Sequence, residues 1–263
     1  MALALVTGAS SGLGLALCRR HAALGGDLII SARHESALLE LKASLDKEFG
    51  IKVYAIAQDL GAPGAAETLF LKVKSQNLTP EILINNAGVG CDGPFVSMPL
   101  DDMLNLLYLN IVSLTTLCRL FMPQMMSTGG RILNIASIAA LIPGPYMAPY
   151  YASKAYVENL SKALWFECRG SKITVTSCLP GPMRTGFVKA SRLQDARVSS
   201  LFTASADDVA SAAYRAMLKG KRVVMPGVPL WLRALLKLSP FVPERLVLEI
   251  TGALQRPSGA DRN

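Results

Sequence analysis

The sequence is poor in histidine, in paired cysteines and in aromatic side chains. It has two histidines, His21 and His34, in 263 residues. Its five cysteines, at 18, 91, 118, 168 and 178, are odd in number, and no two have C-x-x-C spacing. That set argues against a zinc site and predicts no metal, with reduced thiols mostly packed inside. Aromatic residues make up 6% of the chain, and no dense basic run is interleaved with them. Nucleic acid is therefore a poor candidate partner. No uninterrupted apolar run reaches the roughly 18 residues of a membrane span. The opening "MALALVTGAS" has no basic stretch before its short apolar run, so it does not read as a signal peptide, and the expected location is the cytoplasm.

What is present is an oily globular composition, 51% hydrophobic and 17% charged, with a net charge of +8. The length suits one large α/β domain. Residues 221–263 carry seven Lys or Arg against three Asp or Glu, a net +4. A phosphate-rich cofactor or an anionic membrane surface would suit such a balance.

Short β-rich apolar runs alternate with longer helical patterns. Strands are expected at 2–7, 27–32, 52–58, 81–86, 131–137, 172–179 and 221–226. Helices are expected between them, at 35–48, 64–76, about 101–126 and 150–168, with the first ending at Gly25–Gly26. Strands apolar on both faces belong to a parallel sheet covered on both sides. The reading is an α/β fold: one doubly wound domain with a seven-stranded, mainly parallel sheet. Residues 1–226 would form the catalytic domain, and 227–263 a C-terminal amphipathic helical extension of it.

"TGASSGLG" (7–14) lies between the first strand and the first helix. Gly8, Gly12 and Gly14 allow a tight turn and close approach of backbone to a ligand, with Ser10, Ser11 and Leu13 between them. The helix start behind the turn offers N–H groups and a positive dipole end to a pyrophosphate. The second strand ends Ser31, Ala32, Arg33. A carboxylate there would hold the ribose 2′-OH of NAD, and none is present. Arg33 suits a 2′-phosphate, so NADP(H) is expected in preference to NAD(H).

"PYYASKAY" (149–156) sets two tyrosines before one lysine. Helical spacing brings either Tyr150 or Tyr151 near Lys154. With "TGASSGLG", "NNAG" (85–88), Asn110, Ser137, "YYASK" (150–154) and "PGPMRT" (180–185) in one order, the chain resembles the short-chain dehydrogenase/reductase family over about residues 2–225. The family pattern Y-x-x-x-K selects Tyr150 and places Ser137 at the expected interval upstream. Tyr151 is then expected to pack or to line the pocket. The resemblance implies a catalytic set of Asn110, Ser137, Tyr150 and Lys154. Tyr150 would be the general acid/base, with its pKa lowered by Lys154. Lys154 would also bond the nicotinamide ribose, Ser137 would donate to the carbonyl oxygen, and Asn110 would hold a water. It also implies cofactor contacts from Asp59 and Leu60, from Asn86, Ala87 and Gly88, and from Pro180, Gly181, Met183 and Thr185. Asp59 can equally be read as a helix cap.

The implied activity is NADP(H)-dependent reduction of a carbonyl, or oxidation of an alcohol, on a lipophilic small molecule. An epimerase, a dehydratase or a non-catalytic cofactor-binding protein on the same fold is the alternative. Similar enzymes form homo-dimers or homo-tetramers through the long helices carrying Asn110 and Tyr150. Residues 186–205 fall where the family keeps a substrate lid. "SADD" (205–208) reads as a helix cap. "PLWLRALLKLSP" (229–240) sets Arg233 and Lys237 on a narrow stripe in an apolar helix, and "PERLVLEITGAL" (243–254) reads as a second helix. The segment 229–250 can bury itself, seal an oligomer or lie on a membrane surface.

Overall fold

The computed structural model describes residues 2–183 and 204–256. Thr185, almost all of the expected lid and the end of the C-terminal tail lie outside them. The apolar runs become β1 (Ala4–Thr7), β2 (Leu28–Ala32), β3 (Val53–Ala57), β4 (Ile82–Asn85), β5 (Gly130–Ile135), β6 (Ile173–Cys178) and β7 (Val223–Val224). They form one parallel sheet in the order β3-β2-β1-β4-β5-β6-β7. The helices are α1 (Gly12–Ala22), α2 (Glu35–Phe49), α3 (Ala65–Ser75), α4 (Leu100–Leu107), α5 (Leu114–Thr128), α6 (Ala148–Glu167), α7 (Ala206–Leu218), α8 (Leu230–Leu238) and α9 (Glu244–Gln255).

Strand side chains alternate between faces, and the two faces have separate cores. Ala4, Val6, Leu28, Ile30, Ile84 and Leu133 pack with α1, α2 and α7. Leu5, Ile29, Leu83, Ile132 and Val175 pack with α3, α5 and α6. This is why neither set could be polar. Burying one such side chain is worth roughly 1.5–3 kcal/mol.

Two expectations are corrected. The helix expected over 101–126 is interrupted by a π-helical turn, Tyr108–Ser113, between α4 and α5. The last strand shrinks to two residues. The combined helix Leu100–Thr128 is long and apolar enough to cross a membrane by composition. Here Leu114, Leu117, Phe121 and Met125 pack one face of it into the core. Ser205 caps α7 as its sequence suggests, its Oγ accepting from Asp208 N at 3.1 Å.

Candidate active site

Strand order reverses between β1 and β4, and crevices at the carboxyl ends of such strands bind ligands. A cavity of about 430 Å³ opens there. The β1–α1 turn supplies one wall. Gly8 sits at φ +64°, and a Cβ on Gly14 would lie 2.1 Å from the Gly8 oxygen. Only glycine lets the turn fold this tightly. Ser11 stands at the N-cap of α1 and makes no side-chain cap hydrogen bond there. Asn86 fixes the turn from the β4 side, donating from Nδ2 to the oxygens of Thr7 (2.9 Å) and Gly8 (3.1 Å).

Gly8, Ser10, Ser11, Gly12, Leu13 and Gly14 all line the cavity, as do Arg33, Asp59, Leu60, Asn86, Ala87 and Gly88. The far end is lined by Ser137, Tyr150, Lys154, Pro180, Gly181 and Met183. Asp59 is not a helix cap. Its Oδ1 accepts from Gly61 N at 3.0 Å, which turns the chain, and α3 is capped by Gly64. Ser31, His34 and Gln58 join the lining beside Arg33. The Ser31 Oγ is buried with no partner among the described residues, as a group awaiting a polar ligand would be. A dinucleotide cofactor therefore fits the residues present. The glycine turn and the start of α1 would hold its pyrophosphate, and Ser137, Tyr150 and Lys154 stand at the opposite end.

Ser137 is placed by the end of β5. Its Oγ accepts from Ala139 N at 3.2 Å and is hydrogen-bonded to the Tyr150 hydroxyl. Lys154 follows one turn along α6. Its Nζ donates to the Ile135 oxygen at 3.0 Å and lies 5.8 Å from the Tyr150 ring centroid. The expected lowering of the Tyr150 pKa is not found. Burial dominates and pushes the phenol up to about 12, against the Ser137 hydrogen bond. Burial pulls the Lys154 amine down to about 8. A low-dielectric site disfavours both charged forms, and the neighbouring Tyr151 adds to the rise at Tyr150.

Asn110 is buried on the π-helical turn and does not line the cavity. Its Oδ1 accepts from Val89 N (3.0 Å), and its Nδ2 donates to Val89 O (2.9 Å) and Ser153 Oγ (3.0 Å). Both amide protons are thus committed to protein. Gly88 packs between Asn110 and Lys154, since a Cβ there would lie 3.1 Å from Asn110 Oδ1 and 3.4 Å from Lys154 Nζ. Asn110 therefore ties the β4 loop to α6.

Tyr151 lines the cavity, and its ring packs edge-on against Tyr150 with centroids 6.1 Å apart. Its hydroxyl accepts from Gln255 Nε2 at 2.7 Å. Gln255 and Ser153 escaped the sequence reading. Ser153 lies inside the motif "YYASK" (150–154), but nothing local marks Gln255 as a neighbour of Tyr151.

A parallel sheet reversing beside a glycine turn, with Ser137, Tyr150 and the buried Lys154 at the far end of the crevice, defines a dinucleotide-binding fold of Rossmann type. A family model described as short chain dehydrogenase matches residues 2–196, and the chain belongs to that family. A short-chain dehydrogenase from Sphingobium yanoikuyae in complex with NADPH is 30% identical, with a TM-score of 0.82 over 100% of both chains. The bulky-bulky ketone specific alcohol dehydrogenase from Comamonas testosteroni is 25% identical, with a TM-score of 0.77 over 100% of this chain and 97% of that one. The very-long-chain 3-oxoacyl-CoA reductase of Anas platyrhynchos is 30% identical over 201 residues, 73% of this chain. The chain spans 62% of that reductase's length.

Proposed function

We propose that the protein is an NADP(H)-dependent reductase of a lipophilic ketone or aldehyde. The observation that carries this is Tyr150, half-buried and hydrogen-bonded to Ser137 inside a cavity that also holds the glycine turn. The glycine turn and the start of α1 would hold the cofactor across that cavity, and it would supply the hydride for a carbonyl carbon. The oxygen left negative then takes its proton from Tyr150. A phenol pushed up to about 12 is fully protonated at neutral pH. It is nonetheless more acidic than the alcohol it would form, so the proton moves downhill. Ser137 donates to the same oxygen, and Lys154 stands behind the phenol. Asn110 positions Gly88 and Val89.

NADP(H) preference is supported by the absence of a carboxylate at Ser31–Ala32–Arg33 and by the exposed Arg33 on the cavity rim. A relative that binds NADPH is consistent with it. The lipophilic substrate is supported by Ile138, Ala139, Met147, Pro182 and Met183 around the tyrosines. Carbonyl substrates of two relatives, a 3-oxoacyl-CoA and a bulky ketone, point the same way. The working form in this reading is a cytoplasmic homo-oligomer.

The test is a ketone screen with NADPH on the wild type and Tyr150→Phe. The variant should lose at least ~10²-fold in turnover and keep its NADPH affinity in a fluorescence titration. Arg33→Ala should weaken NADPH more than NADH. Equal affinities for the two cofactors in the wild type would overturn the charge argument.

A further inference from the structure

We propose that Tyr151 and Gln255 are a substrate-reading pair that selects ketones with an apolar body and a second acceptor oxygen close to the reacting carbonyl. This rests on the reductase reading above.

The two residues stand 104 positions apart and meet at 2.7 Å, Gln255 Nε2 donating to the Tyr151 hydroxyl. Both line the cavity beside Tyr150. Because the Tyr151 oxygen accepts from Gln255, its own O–H proton is left to donate elsewhere. Burial raises the Tyr151 pKa, so the phenol keeps that proton at neutral pH. Val89, Ile138, Met147 and Met183 give the same cavity apolar lining. A donor facing such a wall is costly unless a ligand satisfies it. A site built around a hydrogen bond rejects analogues that lack the partner.

The ring is also held in place. Edge-on packing against Tyr150 sets one side. On another side a Cβ at Gly144 would fall 2.3 Å from Tyr151 Cγ. Gly144 is not among the positive-φ glycines, so a substitution there acts through space alone. The backbone of residue 144, the Tyr150 ring and the C-terminal helix thus fix Tyr151 jointly. Gln255 is a positioning residue, and Tyr151 makes the contact. The last helix thereby belongs to the substrate site, although it lies outside the sheet that binds the cofactor.

The experiment pairs ethyl benzoylacetate with hexanophenone, which has methylenes in place of the ester carbonyl and oxygen. kcat/KM with NADPH is measured for each. Binding of each to NADP+-loaded protein is measured by calorimetry, where no hydride is available. The wild type should prefer the keto ester by about ten-fold, the worth of one hydrogen bond. Tyr151→Phe and Gln255→Leu should erase the preference, bringing kcat/KM for the two ketones within about two-fold of each other. Gly144→Ala, which displaces the ring but keeps the hydroxyl, should reduce it too. A wild type without preference, or variants that lose both ketones equally, would overturn the pair. If the wild type reduces neither ketone yet binds the ester selectively, the reductase reading fails and the pair stands.

Discussion

Lys154 and Tyr150 share one turn of α6, and burial moves them in opposite directions. The lysine amine falls from an ordinary 10.5 to about 8. Between those values the unfolded chain holds more protons than the folded one, so stability rises with pH across that window. Below about 8 the buried ammonium opposes folding in full. Lys154→Met should therefore be more stable than wild type at pH 7, by roughly 1–3 kcal/mol, and the gain should fade by about pH 10.5. Tyr150 works the other way. Its phenol rises from 10.0 to about 12, so its contribution holds below pH 10 and is lost as pH climbs through 12. Urea denaturation of both proteins without added cofactor, from pH 6 to 12, separates the two windows. A constant difference across that range would show that Lys154 titrates normally. The residue scale also shows what proximity in sequence conceals. One turn of helix suggests an ammonium lowering a phenol. Only the fold reveals that both groups leave water, and desolvation then wins.

At the scale of elements, the π-helical turn Tyr108–Ser113 decides how the β4 loop is held. The wider turn sets Asn110 and Ser113 into the interior, and Ser113 Oγ donates to the Leu60 oxygen at 2.6 Å. Such turns recur at functional sites, where they re-aim one side chain. Asn110→Ala would strand the Val89 N–H and carbonyl, which its amide satisfies. Each buried group left unpaired costs about 1–3 kcal/mol. The variant should lose about 2–4 kcal/mol in thermal denaturation, and its NADPH affinity should weaken because Gly88 is released. Unchanged stability would show that water replaces the amide at no cost. The parallel sheet and the glycine turn were legible in the sequence because both leave local marks. Runs such as "DLIISA" are apolar on both faces, and "TGASSGLG" puts three glycines between a strand and a helix. The π-helical turn left none, since "NLLYLNIVSLTTL" is evenly apolar to any helical template. Nor did the Tyr151–Gln255 contact, which depends on how the last helix packs.

At the scale of the whole molecule, the C-terminal extension is the part whose surface does not suit water. Of α8 only Leu236 is buried. Leu230 is 78% exposed, Trp231 64%, Leu235 54% and Leu238 55%, and Phe241 in the turn beyond reaches 85%. Leu232 and Leu236 pack on the core, and the other large apolar residues of the segment stay outside it among the described residues. Arg233 is only half-buried at the flank, its Nε donating to the Val228 oxygen at 2.9 Å. An apolar face this continuous marks an interaction surface. Leu100, Leu104, Tyr156 and Phe166 on the helices around the site are exposed as well. Covering each large apolar side chain is worth roughly 1.5–3 kcal/mol, enough to hold copies of the chain together. Light scattering should therefore give a multiple of the 28.1 kDa chain mass. Replacing Leu230, Trp231, Leu235 and Phe241 together by Gln should lower that mass without changing NADPH affinity, because none of the four lines the cavity. A variant of unchanged mass would sink the self-association reading. If the wild type instead sediments with anionic liposomes and the variant does not, the face belongs to a membrane surface, with Lys237 and Arg245 meeting the lipid headgroups.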